Sequence, residues 1–237
     1  MATVLITGSN RGIGLALVRE FLEQGDRVAA TARNPEKSSQ LQELAREFGD
    51  NLLVAAMDVA DGKSVERVRD QVAEKWGSLD ALVNNAGIFP ERGDESLLEL
   101  DLKHFEAAFD VNVVGTARVC QAFLPLLRKG GEVRSIVNIS SGAGSITDKT
   151  DSRYYCYSAS KAALNQFSRA LAAELKPEGI IVVPITPGWV KTEMGGDNAE
   201  LTPEQSAVSL VKTIKKLAPR QAGQFLDRHG RSGVYNW

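Results

Sequence analysis

The stretch Thr3-Val-Leu-Ile-Thr-Gly-Ser-Asn-Arg-Gly-Ile-Gly14 decides the fold. Thr3 to Thr7 is a short apolar run of the kind found in buried parallel strands. The glycine-rich segment Thr7 to Gly14 follows, and then Leu15, Ala16, Val18, Phe21 and Leu22 recur at helical spacing. The order is strand, tight turn, helix. Gly8 permits the turn, while Gly12 and Gly14 let backbone approach a phosphate and let the helix pack on the strand. The new helix N-terminus offers amide donors and a positive dipole end to a pyrophosphate. Glycine spacing alone also fits a purely structural turn; the strand and helix on either side point to nucleotide binding.

Working outward, the same alternation continues. Strands are expected at 27–31, 52–57, 79–83, 135–139 and 180–185, with a short last one at 225–227. Helices are expected at 38–48, 61–75, 102–128, 157–176 and 203–217; Thr202 is the expected cap of the last, with Pro203 in its first position. Residues 88–101 read as irregular, and 193–202 as a polar, lid-like loop. Six to seven strands alternating with helices make an α/β, Rossmann-type, doubly wound parallel sheet with helices on both faces. No repeat or linker divides the chain, so one domain over 1–237 is expected.

Composition bounds the function. Hydrophobic residues are 43% and charged residues 24%, the balance of a soluble globular protein. The net charge of -2 gives no electrostatic case for nucleic acid or an anionic membrane. No apolar run is long enough to span a bilayer, and the first residues read as a strand rather than a signal peptide. Two cysteines, Cys120 and Cys156, supply neither a disulfide framework nor a metal set, and the two histidines lie far apart in sequence. A cytoplasmic protein without a metal is the expectation.

The residue after the second strand selects the nucleotide. NAD sites usually carry an acid there for the ribose hydroxyls, whereas NADP sites place an arginine near the 2'-phosphate. Here Ala30-Thr-Ala-Arg-Asn34 has no acid and offers Arg33, and Arg11 in the glycine loop adds a second cation. NADP(H) is therefore favoured over two merely solvated arginines. Asp58, after the third strand, can accept from an adenine amino group or can cap the following helix. Asn84-Asn-Ala-Gly87 suits a tight loop bordering the cofactor crevice. Asn112 is polar on a largely apolar helix; bonding to backbone at an irregularity would account for it equally. Ser140-Ser-Gly-Ala-Gly144 leaves room for a ligand and a hydroxyl to orient a carbonyl oxygen, or is simply a turn.

Tyr157 and Lys161 stand four apart on a helical stretch, and so share a face. A nearby ammonium favours phenolate and brings a tyrosine pKa toward the working range. The pair can donate a proton to a carbonyl oxygen or take one from an alcohol. Alone, such a pair is common on ordinary helices.

Taken together, TGSNRGIG at 7–14, NNAG at 84–87, Asn112, the serine after IVNIS, Tyr157-x-x-x-Lys161 and PGWVKT at 187–192 resemble the short-chain dehydrogenase/reductase family over nearly the whole chain. Motif order and the PGWVKT-EMGG run also resemble its carbonyl-reductase-like branch, which includes the C-factor and sniffer proteins. The resemblance implies a catalytic set of Asn112, Ser141, Tyr157 and Lys161. Tyr157 would be the acid, Lys161 would lower its pKa and bond the nicotinamide ribose, Ser141 would hold the substrate oxygen, and Asn112 would anchor a water relaying protons to Lys161. It implies that Gly8, Ser9, Asn10, Arg11, Gly12, Ile13 and Gly14 hold the pyrophosphate. Asp58 and Val59 would hold the adenine, and Asn85, Ala86 and Gly87 the ribose side. Pro187, Gly188, Val190 and Thr192 would hold the nicotinamide and its carboxamide. In this chain Ser141 lies farther before Tyr157 than the serine does in many members, with Thr147 to Arg153 read as an inserted loop; Ser140 is the alternative serine. Phe89, Ala143, Tyr154, Trp189 and Met194 are candidate pocket residues, mostly apolar.

The implied activity is NADPH-dependent reduction of a small, apolar aldehyde or ketone. A regulatory protein binding NADP(H) with incidental catalysis, and an NAD-dependent alcohol or steroid dehydrogenase, are the alternatives. The helices at 102–128 and 157–176 form the dimer surface in many relatives, so the resemblance leaves two readings open: a homodimer or homotetramer built on them, or helices that simply cover the sheet.

Overall fold

The computed structural model describes residues 1–237. Six strands, β1 (Thr3–Thr7), β2 (Arg27–Ala32), β3 (Leu52–Ala56), β4 (Ala81–Asn84), β5 (Arg134–Ile139) and β6 (Ile180–Ile185), form one parallel sheet in the order β3-β2-β1-β4-β5-β6. The order reverses between β1 and β4. That is the topological switch point at which such sheets open a crevice beyond their carboxyl ends.

Strand residues alternate between the two faces. Val4, Ile6, Val28, Ala30, Val83, Val137 and Val183 enter one core with helices α1 (Gly12–Glu23), α2 (Ser39–Phe48) and α7 (Pro203–Ile214). Leu5, Ala29, Leu82, Ile136 and Val182 enter the other with α3 (Gly62–Trp76), α5 (Thr116–Leu127) and α6 (Tyr155–Leu175). Because both faces are covered, the strands read as continuous apolar runs.

Helix starts follow local chemistry. Ser38 and Asp61 accept from the first-turn amides of α2 and α3, and Thr202 with Gln205 forms a capping box ahead of Pro203. Asp61, rather than Asp58, therefore caps α3.

Three expectations are corrected. The expected last strand is only a bridge: Leu226 bonds to Pro184 and Thr186, but Asp227 gathers the amides of His229 and Arg231 and turns the chain back. The fourth strand starts at Ala81 because the Leu79 amide bonds to Leu126 rather than to the sheet. The helix expected at 102–128 is α4 (Lys103–Phe109) and α5 joined by a π-helical stretch, Asp110–Gly115. A Cβ on Gly115 would lie 2.8 Å from the Val59 side chain, so glycine lets this stretch lie close to the turn after β3. No helix is long and apolar enough to cross a membrane.

Candidate active site

A cavity of about 940 Å³ opens at the carboxyl ends of the strands. Its floor at the switch point is sewn together by Thr7 and Asn85. The Thr7 hydroxyl accepts from the amides of Asn85 and Ala86, and the Asn85 carboxamide donates to the carbonyls of Thr7 and Gly8 at 2.9 and 3.0 Å. The segments touch so closely that a Cβ on Gly14 would sit 2.1 Å from the Gly8 carbonyl oxygen. Gly8 itself has a φ of +69°, and a Cβ there would meet the Ala86 backbone at 2.8 Å. The start of α1 has no side-chain cap and no acid in its first turn, which leaves its amides available to an anion.

Around this floor the structure gathers nearly all the residues singled out above. Gly8, Asn10, Arg11, Gly12, Ile13, Gly14, Arg33, Asp58, Val59, Asn85, Ala86, Gly87, Ser141, Tyr157, Lys161, Pro187, Gly188, Val190 and Thr192 all line the one cavity. So do Phe89, Ala143, Tyr154, Trp189 and Met194. Two residues stand elsewhere. Ser9 is fully buried, its hydroxyl donating to Ile6 and its amide to Thr31, so it braces the loop from behind. Asn112 is buried in the π-helical stretch, one layer behind the wall; its carboxamide accepts from the Ile88 amide and donates to the Ile88 carbonyl and Ser160. It still approaches the site, because its Oδ1 and the Lys161 ammonium both flank Gly87.

The two serines differ in where their hydroxyls go. Both border the cavity, but the buried Ser140 hydroxyl is spent on Asn165, to which it donates at 2.6 Å, whereas the half-buried Ser141 hydroxyl accepts from the Ala143 amide and stands beside Tyr157. Lys161 is 5% exposed and donates to the Ile139 carbonyl at 2.8 Å, with its ammonium 5.7 Å from the Tyr157 ring centre. Burial, not a charge partner, controls both groups. It brings the Lys161 ammonium down to about 8 and pushes the Tyr157 phenol above its ordinary value, the Ser141 hydrogen bond offsetting part of the rise. The expected lowering of Tyr157 by Lys161 is thus absent from the protein alone. Desolvation outweighs an ammonium that points at a backbone carbonyl.

At the nucleotide end, Arg33 is exposed on the wall just past β2, while Arg11 pairs with Glu193 from the segment after PGWVKT. Val190 and Leu201 pair across the base of the lid-like segment and close it on itself. The expected inserted loop is stitched to itself and to the last residues. Asp148 accepts from Ser145, from the Asn236 amide and from the Asn236 carboxamide, and the Thr147 amide donates to the Trp237 carbonyl.

The irregular segment 88–101 supplies residues with no motif to announce them. Phe89 lies edge-on to both Tyr154 and Tyr157, with ring centres 5.4 and 5.3 Å apart. Arg92 lines the cavity. Glu91 is buried, and its two carboxylate oxygens accept from the amides of Cys156 and Tyr157. Those contacts span 65 and 66 positions. The only local hint is an α6 that starts without a cap of its own.

The arrangement can bind an anionic, extended ligand along the glycine loop and present a hydroxyl pair, Ser141 and Tyr157, to a polar atom beside it. Known proteins resemble the chain in sequence and fold. The short chain dehydrogenase family profile matches residues 2–202. The benzil reductase ((S)-benzoin forming) of Saccharomyces cerevisiae is 36% identical over 244 residues, covering 98% of this chain and 90% of that protein. The fold is similar to that of the carbonyl reductase Sniffer of D. melanogaster, with a TM-score of 0.94, 32% identity and full coverage of both chains. It is similar also to NADPH-bound carbonyl reductase from chicken fatty liver, with a TM-score of 0.90, 33% identity, and coverage of 100% of this chain and 99% of that one. The chain belongs to the short-chain dehydrogenase family, as an oxidoreductase of its carbonyl-reductase-like branch.

Proposed function

We propose that this protein reduces the carbonyl group of a small, apolar aldehyde or ketone, with NADPH as cofactor and Tyr157 as the general acid. The observation that carries the reading is the hydroxyl pair of Ser141 and Tyr157 on the wall of the glycine-loop cavity, with Lys161 buried beside it.

The residues present suit the nucleotide. Gly8 to Gly14 and the uncapped α1 amides fit a pyrophosphate. Arg33 fits a 2'-phosphate, with Arg11, paired with Glu193, lining the same cavity; no acid stands at the end of β2 to exclude one. Asp58 and Val59, Asn85 to Gly87, and Pro187 to Thr192 line the same cavity, where they would hold the adenine, the ribose and the nicotinamide in turn. A fatty-liver relative of the same fold is NADPH-bound, which supports the same choice here. Bound NADPH supplies the hydride.

The chain's own residues supply the rest. Ser141 orients the carbonyl oxygen by hydrogen bonding. Tyr157 gives its phenolic proton to that oxygen as negative charge develops on it. The raised phenol pKa keeps this proton in place at neutral pH, which suits an acid in the reducing direction. Lys161, held at Ile139, keeps positive charge beside the phenolate left behind. Phe89, Ala143, Tyr154, Trp189 and Met194 make the substrate side mostly apolar.

The test is a panel of aldehydes and ketones with NADPH consumption as the readout, run on wild type and Tyr157→Phe. Turnover of one or more apolar carbonyl compounds by wild type, and its near loss in the variant, is expected. Equal rates in the two proteins would defeat the acid assignment.

A further inference from the structure

Helix α6 carries Tyr157 and Lys161, yet its first turn is not closed by anything near it in sequence. Tyr154, the residue before it, has a φ of +62°, makes no side-chain cap, and no acid lies in the first turn. The first amides of a helix need acceptors, and unmet ones in a buried setting are costly. Glu91 meets two of them. Its Oε2 accepts from the Cys156 amide at 2.9 Å and its Oε1 from the Tyr157 amide at 2.7 Å. The side chain is 4% exposed, so the bonds are shielded from water. A carboxylate at a helix N-terminus also gains from the dipole. The buried Cys156 thiol beside it is pushed up to about 12, by burial and then by the charge of Glu91, and so stays protonated.

A cap from position 91 does something a local one cannot. Two residues before it, Phe89 packs edge-on against the Tyr157 ring; one residue after it, Arg92 lines the cavity. The turn is tight enough that a Cβ on Gly93 would fall 2.5 Å from the Tyr154 ring. The carboxylate therefore fixes the backbone of Tyr157 and the substrate wall to each other.

We infer that Glu91 is a positioning residue for the reaction: it holds the Tyr157 backbone in register with the wall formed by Phe89, through bidentate capping of α6. The inference rests on the reading of Tyr157 as the acid. A small misplacement of an acid relative to its substrate lowers turnover without touching distant binding contacts.

The test uses Glu91→Gln and Glu91→Ala, with Tyr157→Phe as control. Glutamine keeps the size but has one acceptor oxygen, and its amino group would face an N–H. For each protein, kcat is measured per NADPH-binding site, together with KM for an apolar ketone, Kd for NADPH, and amide exchange over residues 154–160. For Glu91→Gln we expect kcat to fall about tenfold or more, Kd for NADPH to stay within about twofold, and exchange at the start of α6 to quicken. The alanine variant, if it folds, exceeds the glutamine variant in both effects; if it does not, the glutamine variant carries the test. Wild-type kcat in Glu91→Gln beside an inactive Tyr157→Phe would overturn this inference alone, leaving Glu91 a structural cap. Parallel losses of kcat and NADPH affinity would overturn it too, as general disruption. An active Tyr157→Phe would remove the reading of Tyr157 and this inference with it.

Discussion

At the β1–β4 end of the cavity the walls are backbone: glycines, amides and carbonyls brought together by two adjacent strands. At the β5–α6 end they are side chains from segments far apart in sequence, Phe89 and Glu91 from one, Ser141 from a second, Tyr157 and Lys161 from a third. The first end tolerates little change because a Cβ has nowhere to go. The second depends on burial and on partners, so its chemistry can be tuned without rebuilding the sheet. Substitutions at the two ends should therefore fail in different ways.

The largest effect belongs to the side-chain end. Tyr157→Phe removes the acid while keeping the ring against Phe89, and should lower kcat/KM by about 10²–10⁴-fold with little change in Tm or NADPH affinity. Steady-state kinetics with a thermal melt checks both halves. If melting collapses as well, the two ends are less separable than described.

Gly14→Ala attacks the backbone end. Its Cβ would meet the Gly8 carbonyl at 2.1 Å and the Asn85 carboxamide at 2.5 Å, so the loop must move. Overpacking of this kind costs about 1–3 kcal/mol, a fall in Tm of roughly 2–12 °C for a chain of this length. NADPH binding should be lost with it, as read by nucleotide fluorescence. Retained tight binding would show the loop to be softer than its contacts imply.

Lys161 gives the side-chain end a pH signature. Its folded pKa, about 8, lies below the unfolded value near 10.5. Between those values the unfolded chain holds the extra proton, so wild type gains stability as pH rises from about 8 toward 10.5, and carries the full burden of the buried ammonium below pH 8. That burden is on the order of 3 kcal/mol. Lys161→Met should lack this rise, so the stability difference between ligand-free wild type and variant should move in favour of wild type across the window. Parallel curves in denaturant titrations at pH 7, 8.5 and 10 would contradict it.

The smallest effect is expected at the exposed edge of the nucleotide end. Arg33→Ala should weaken NADPH binding by about tenfold, the low end for a charge-assisted contact at a solvent-facing site. NADH binding should scarcely change. Equal losses for both nucleotides would mean that Arg33 does not discriminate between them.

Much of the nucleotide end could be read from the chain because its determinants are local. The Thr3 to Gly14 pattern places strand, turn and helix within twelve consecutive residues, and Arg33, Asp58, Asn85 and Pro187 each fall just past a strand. Ser9 sits in the same pattern but turns inward to Ile6, a distinction of side-chain direction that spacing does not carry. Asn112 was legible as an anomaly, a polar residue on an apolar helix; its π-helical setting and its bonds to Ile88 come from packing against a segment 24 positions away. The choice between Ser140 and Ser141 depends on which way each hydroxyl faces, and Asn165 claims the first.

Sequence by itself determined the doubly wound sheet, the family and the order of the motifs along it, because apolar periodicity and turn chemistry act over a few residues. Tertiary structure alone decided the electrostatics and the reach of the proton-donor end. Burial, which no local pattern measures, raises Tyr157 and lowers Lys161. Glu91 closes the helix that carries them from 65 positions away, a contact that exists only once the sheet has brought the two segments together.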